Sequence, residues 1–206
     1  MSRNTLLVIP MKDPLRSKTR LGGAICQAER ARLARQLFRR TLALVLGLRE
    51  DRPRFDVAVV TGAAEIAEHA RRTGAKVIAE PEGPTGLNRA LAHAAETACA
   101  QGYRRLAVLP ADLAAPDPAD VARLMALDLG PRGLALCASR DFGTNALLAA
   151  PPDVVPFAYG PRSFHAHRAR AEAAGLTPIT VVLESLRWDI DGAEDLAELL
   201  AQERGA

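Results

Sequence analysis

Thr5-Leu6-Leu7-Val8-Ile9, followed at once by Pro10-Met11-Lys12, is the stretch that decides the fold. Its apolar run is continuous rather than alternating, the pattern of a strand buried on both faces of a sheet. It recurs along the chain at Phe55–Val60, Ala75–Ala79 and Arg105–Leu109. Between these runs lie helical segments: Gln27–Leu48, with the stripe Leu33, Leu37, Phe38, Leu42, Val45 and Leu46; Ala63–Arg72, stopped by Gly74; and alanine-rich Thr85–Ala100, stopped by Gly102. Asp117-Pro118 opens a fourth helix running to about Leu129, with a cap residue followed by proline at the first helical position. The order βαβαβαβα predicts a parallel sheet with helices on both faces.

The second half is less regular. Leu134–Ser139 and Asn145–Leu148 read as strands joined through Asp141-Phe142-Gly143, Pro161–Ala174 as a helix, and Pro178–Leu183 and Arg187–Ile190 as short strands. Asp191-Gly192-Ala193-Glu194 matches a capping box opening a last helix. The expectation is a single α/β domain over residues 1–206, a Rossmann-like three-layer αβα arrangement whose mostly parallel sheet includes an antiparallel strand.

Composition narrows the function. The chain has 206 residues, 49% of them hydrophobic and 25% charged, and a net charge of +3. Its three cysteines, Cys26, Cys99 and Cys137, form no CxxC pair and read as buried small hydrophobes. No apolar run is long enough for a membrane span, and the first is too short for a signal peptide, so a cytoplasmic protein is expected. Dispersed arginines and 4% aromatic residues argue against a nucleic-acid platform. Arginines number 24 and lysines only 3, and two of those lysines, Lys12 and Lys18, lie together after the first strand.

Ligands of open α/β sheets bind beyond the carboxyl ends of the strands, where strand order reverses. The polar residues there are Lys12, Thr61, Glu80 and Asp112. The first loop carries Lys12, Arg16, Lys18 and Arg20 within nine residues, a charge density suited to a triphosphate, although a solvated basic loop would read the same way. It is neither a GxxxxGK[ST] nor a GxGxxG loop. Asp112 stands where a carboxylate can hold a hard divalent cation, or merely cap a turn. Strand alternation puts Asp189 and Asp191 on one face with Ile190 in the core; with Asp112 they would form a three-carboxylate magnesium site, unless Asp191 only caps the last helix. Gly143-Thr144-Asn145 and the helix start at Tyr159-Gly160-Pro161-Arg162-Ser163 are two phosphate-friendly turns that suggest a second phosphorylated ligand. The histidines carry little weight: His165 and His167 lie on different helix faces, and no nucleophile–base arrangement stands out.

Together these motifs resemble the 2-phospholactate guanylyltransferase family of deazaflavin coenzyme biosynthesis, almost end to end. The matching segments are Ile9-Pro10-Met11-Lys12, Lys18-Thr19-Arg20-Leu21, Gly86-Leu87-Asn88, Leu109-Pro110-Ala111-Asp112, Gly143 through Leu148, Phe157 through Gly160 with Ser163-Phe164, and Asp189 through Leu196. The resemblance implies a fold like that of nucleotide-diphospho-sugar transferases. It implies transfer of GMP from GTP onto the phosphate of a small phosphorylated carboxylic acid (2-phospholactate, phosphoenolpyruvate or 3-phosphoglycerate), with pyrophosphate released. Lys12, Lys18 and Asp112 would be catalytic; Pro10, Lys12, Lys18, Arg20, Glu80, Gly83 and Asn88 would bind nucleotide. Asp112, Asp189 and Asp191 would hold Mg2+, and Thr144, Gly160 and Ser163 would bind the acceptor. The product would be the donor for the next pathway enzyme, a candidate partner. A nucleotidyltransferase for molybdopterin or a sugar phosphate, and a non-catalytic GTP-binding protein, are the alternatives.

Overall fold

A computed structural model describes residues 4–51, 55–81 and 86–205. Seven strands, β1 (Thr5–Pro10), β2 (Phe55–Thr61), β3 (Lys76–Ala79), β4 (Arg105–Val108), β5 (Gly133–Ala138), β6 (Thr144–Ala150) and β7 (Ile179–Thr180), form one sheet in the order β3-β2-β1-β4-β6-β5-β7. The helices are α1 (Gln27–Asp51), α2 (Ala64–Arg72), α3 (Leu87–Ala100), α4 (Pro118–Ala126), α5 (Ser163–Ala173) and α6 (Ala193–Gly205). β1 pairs in parallel with both β2 and β4, with Thr5 opposite Phe55 on one side and Arg105 on the other. β6 runs antiparallel to both of its neighbours, β4 and β5. The expected mixed sheet with an antiparallel strand is therefore present.

The unbroken apolar runs have their reason in the two cores. Leu7 and Ile9 of β1 pack on one face of the sheet with Phe38, Leu42 and Val45 of α1 and Ile66 of α2. Leu6 and Val8 pack on the other face with Leu91, Ala94 and Ala98 of α3 and Phe164 of α5. Period-two alternation along β1 feeds both layers, so every residue of the run is apolar or nearly so. α1 and α2 lie on one face and α3 on the other, and the strand order reverses at β1: β2 and β3 are laid on one side of it and β4 on the other.

Several boundaries differ from expectation, and those around the second half matter for the site. Arg187–Ile190 is not a strand: it makes a single antiparallel bridge, Leu113 to Asp189, because it passes alongside the loop after β4 rather than joining the sheet edge. Pro178–Leu183 contributes only Ile179–Thr180, an exposed edge pair. α4 ends at Ala126, three residues before Leu129. Of the cysteines only Cys137 is buried; Cys26 and Cys99 are exposed, since they lie outside the helix stripes that face the sheet. Among the described residues no helix is long and apolar enough to cross a membrane.

Candidate active site

The carboxyl ends of β1 and β4 diverge at the reversal of strand order and leave a cavity of about 360 Å³, whose lining includes Pro10, Lys12, Lys18, Glu80, Asp112 and Asp191. The parallel ladder holds this mouth open: the Leu109 amide still bonds to the Val8 carbonyl at 3.0 Å, and the Met11 amide to Val60 at 2.9 Å. Beyond the Leu109–Val8 bond β1 and β4 part, while the Met11–Val60 bond keeps β1 beside β2.

The first loop is shaped locally. The Asp13 carboxylate accepts the Leu15 amide at 2.9 Å and caps a 3-10 turn over Pro14–Arg16. A second 3-10 turn covers Thr19–Gly23, preceded by Lys18 with φ of 56°. A lysine in the left-handed region is strained, and strain of this kind persists where the surrounding contacts over-determine it. Here the contacts fold Lys18 inward until it is only 8% exposed, while Lys12, Arg16 and Arg20 stay at the surface.

The Lys18 ammonium pairs with the Asp112 carboxylate and reaches Asp191 Oδ1 at 3.5 Å. Arg20 donates to the other oxygen of Asp191 at 3.0 Å. Burial works against the Lys18 charge, but the three aspartates outweigh it and hold its pKa above the ordinary value. Asp112, Asp189 and Asp191 bring one oxygen each within 4.8 Å of one another, a group of hard oxygen donors that could hold a metal ion. Asp189 is pushed up to about 6, first by burial and then by the charge of Asp112, against a hydrogen bond from Asn145 Nδ2 at 2.9 Å. Backbone bonds fix this grouping: Ala114 N to Trp188 O at 2.8 Å and Ile190 N to Asp112 O at 3.2 Å, with Ile190 fully buried.

Asp191 does not form the expected capping box with Glu194. Asp195 Oδ2 accepts the amides of Gly192 at 2.8 Å and Asp191 at 3.1 Å instead. The cap is shifted by one residue because α6 begins at Ala193, and the Asp191 carboxylate turns towards Lys18 and Arg20. Asp191 also lines a second cavity of about 220 Å³, with Arg20, Arg140, Asp141, Trp188 and Asp189. The carboxylates thus stand between two openings.

β6 is antiparallel to β4, so its first residues, Thr144 and Asn145, lie at the same end as Asp112. The turn before them is tight. Asp141 accepts both the Ser139 hydroxyl and the Gly143 amide, and a Cβ on Gly143 would lie 2.7 Å from Ser139 Oγ. Thr144 Oγ1 accepts from Ser163 Oγ at 3.1 Å and lies 3.0 Å from His167 Nδ1. Gly160 is exposed, with open space where a side chain would be. The expectation that the start of α5 offers free amides is corrected: Ser163, Phe164 and His165 donate to Gly160, Phe142 and Arg162. The left-handed Arg162 (φ of 53°) closes these short bonds on the helix's own approach.

Glu80 and Pro10 line the larger cavity as expected. Asn88 is exposed at the start of α3, where its amide clamps the Tyr159 backbone, donating to the carbonyl at 2.9 Å and accepting from the amide at 2.7 Å. Gly83 lies outside the described residues. The roles of two residues are not legible in the sequence. Asn145 steers Asp189, a role signalled only by a polar side chain inside an otherwise apolar strand. His167, fully buried, has no metal-ligand partner at helical spacing to mark it, although Ser163 precedes it by four residues on the same helix face.

Residues 5–206 match the family model described as guanylyl transferase CofC like. The 3-phospho-D-glycerate guanylyltransferase of Colwellia psychrerythraea is 36% identical over 197 residues, covering 96% of this chain and 91% of that protein. The phosphoenolpyruvate guanylyltransferase of Rubrobacter xylanophilus is also 36% identical over 197 residues, covering 94% and 92%. A crystal structure from Desulfovibrio desulfuricans, named for a nucleotide-diphospho-sugar transferase, superposes with a TM-score of 0.79 over 100% of this chain and 90% of that one; at 19% identity it speaks for the fold alone. With its motifs gathered at one sheet edge and its sequence matched from the first strand to the last helix, the chain belongs to the CofC-like guanylyl transferase family.

Proposed function

We propose that this protein transfers the guanylyl group of GTP to the phosphate of a small phosphorylated carboxylic acid, in deazaflavin coenzyme biosynthesis. Phosphoenolpyruvate, 3-phosphoglycerate and 2-phospholactate are the acceptors to compare. The observation that carries the reading is the convergence of Lys18, Asp112, Asp189 and Asp191 at the mouth of the strand-order reversal, in a chain whose relatives are named guanylyltransferases.

The chemistry required is modest. An oxygen of the acceptor's phosphate attacks the α-phosphorus of GTP, the bond from that phosphorus to the bridging oxygen breaks, and pyrophosphate departs. The attacking oxygen is already ionised near neutral pH, so positioning and charge neutralisation carry the reaction and no general base is needed. The one buried histidine among the described residues, His167, is engaged away from the aspartates, in keeping with that. Two openings on either side of the carboxylates suit an in-line displacement, in which attacking and leaving groups lie on opposite sides of phosphorus.

The oxygen donors of Asp112, Asp189 and Asp191 fit a hard divalent cation, and the crowding of Asp189 against Asp112, which with burial pushes its pKa up, supports that reading. Mg2+ bound there would supply Lewis-acid neutralisation of phosphate charge. Lys12, Lys18 and Arg20 would bind the triphosphate, and Pro10, Glu80, Gly83 and Asn88 would border the nucleoside. Thr144, Gly160 and Ser163 would bind the acceptor.

The test is pyrophosphate release by the purified protein with Mg2+, each of GTP, ATP, CTP and UTP, and each of the three acids. Release with GTP and at least one acid is expected. Preference for another nucleotide, or GTP binding without release, would contradict the proposal.

A further inference from the structure

The buried polar group behind Thr144 has a direction built into it. The Ala158 amide donates to His167 Nε2 at 2.9 Å, so that nitrogen carries no hydrogen. The ring's hydrogen therefore sits on Nδ1, which faces Thr144 Oγ1 at 3.0 Å and also the Ser163 backbone, so that nitrogen donates and accepts from neither hydroxyl. Thr144 and Ser163 meet at 3.1 Å, and one hydroxyl must donate to the other. Three donors enter this chain of contacts, but the histidine, as a donor at its inner end, accepts nothing from the hydroxyls. Whichever way the Thr144–Ser163 bond is oriented, one hydroxyl hydrogen is left with no acceptor inside the group.

A buried hydroxyl hydrogen without an acceptor is costly, so such a network persists where something supplies the acceptor. The three side chains are 6%, 2% and 0% exposed for Thr144, Ser163 and His167. Thr144 is the outermost and stands one residue from Asn145, which holds Asp189. The group also joins three pieces of chain: the start of β6, the loop at Ala158 and the first turn of α5.

We propose that His167 is a positioning residue: by donating to Thr144 while accepting from Ala158, it makes the Thr144–Ser163 pair present a hydroxyl donor to an anionic oxygen of the acceptor acid. This rests on the functional reading above, since it concerns the binding of that acid. His167 touches neither substrate nor metal and acts through the two hydroxyls.

The test compares steady-state kinetics of the wild type with His167→Leu, His167→Gln and Thr144→Val, varying GTP and the preferred acid separately. Leucine fills the space without a polar atom; glutamine can accept from Ala158 and donate to Thr144. His167→Leu is expected to raise the acceptor KM about tenfold, with GTP KM and kcat within about twofold of wild type. His167→Gln is expected to recover most of that loss. Thr144→Val removes the presented hydroxyl, and with it a partner of the His167 Nδ1 hydrogen, and is expected to raise acceptor KM to a similar degree; if His167→Leu does not fold, His167→Gln and Thr144→Val together decide the question. Adding His167→Gln to Thr144→Val is expected to change little further. Equal rises in the GTP and acceptor KM of His167→Leu, or an unchanged acceptor KM in Thr144→Val, would overturn the positioning role. A wild-type protein that turned over none of the three acids would overturn the functional reading and this role together.

Discussion

The ammonium of Lys18 lies against the carboxylate of Asp112, 94 positions away in sequence, and no backbone bond imposes that contact. It is made by a left-handed backbone at Lys18 that turns the side chain inward. In the proposed reaction lysine and aspartate would do opposite things to an incoming triphosphate, one attracting it and the other needing a cation. Replacing Lys18 by Met would remove the proposed triphosphate contact and leave Asp112 and Asp191 without the cation between them. The expected outcome is a fall in kcat/KM for GTP of about 100-fold or more, and a loss of roughly 1–3 kcal/mol in stability of the metal-free protein. Kinetics and urea unfolding with a chelator present check both. Wild-type kinetics in Lys18→Met would remove Lys18 from the triphosphate site.

Asp189 is predicted to cost stability. Its pKa is pushed up to about 6 in the folded chain from an ordinary value of 3.8, by burial first and by Asp112 second. The folded state therefore holds more protons than the unfolded state between those values, and stability falls as pH rises through that window. Above pH 6 the penalty is complete, on the order of 1–3 kcal/mol. Asp189→Asn should remove it: measured without divalent metal, the variant is more stable than wild type at pH 7–8 and loses that advantage below pH 4. Equal stability of the two proteins at pH 8 would contradict this.

His167 has the opposite sign. Burial pushes its pKa down to about 4 from 6.5, against the opposing hydrogen bond to Ser163. The unfolded state takes up the proton first as pH falls, so stability is lost progressively from pH 6.5 to pH 4. The difference in unfolding free energy between wild type and His167→Gln should change across that window and be flat above pH 7, on the order of 3 kcal/mol in all. A difference that does not vary with pH would show that His167 is not buried in its neutral form.

Gly143 is needed for space rather than for backbone freedom. An alanine Cβ there would lie 2.7 Å from Ser139 Oγ and 3.2 Å from Asp141 Oδ1, the donor and acceptor of one hydrogen bond. Gly143→Ala must disturb the turn that launches Thr144 and Asn145. A stability loss of about 1–2 kcal/mol and a raised acceptor KM with GTP KM unchanged are expected, read by thermal unfolding and kinetics. An unchanged acceptor KM would separate this turn from the acceptor.

Much of this was legible in the sequence because burial on both faces of a sheet leaves an unmistakable apolar run. Val8 and Val108 sit side by side in the centre, and their runs announced the strands and hence the loops that end at Lys12 and Asp112. The pairing of Asp189 with Asp191 followed from strand alternation around Ile190, even though the segment turned out to be a single bridge and not a strand. Legibility ended where one side chain could serve two local purposes. The spacing of Asp191 and Glu194 fits a helix cap, and only the three-dimensional position of Lys18 and Arg20 shows the carboxylate engaged elsewhere. His167 was opaque for a related reason: its partners, Thr144 and the Ala158 amide, are 23 and 9 residues away and share no spacing rule with it.

The central claim is a bond formed between the acceptor's phosphate and the α-phosphorus of GTP. Phosphorus NMR of the purified protein with GTP, Mg2+ and an equimolar mixture of phosphoenolpyruvate, 3-phosphoglycerate and 2-phospholactate observes that bond directly. The account predicts new diphosphate-diester resonances growing in step with pyrophosphate for wild type, and none for Asp112→Asn with its fold intact by circular dichroism. Unconsumed GTP, release of GMP without a diester, or full product formation by Asp112→Asn would contradict it.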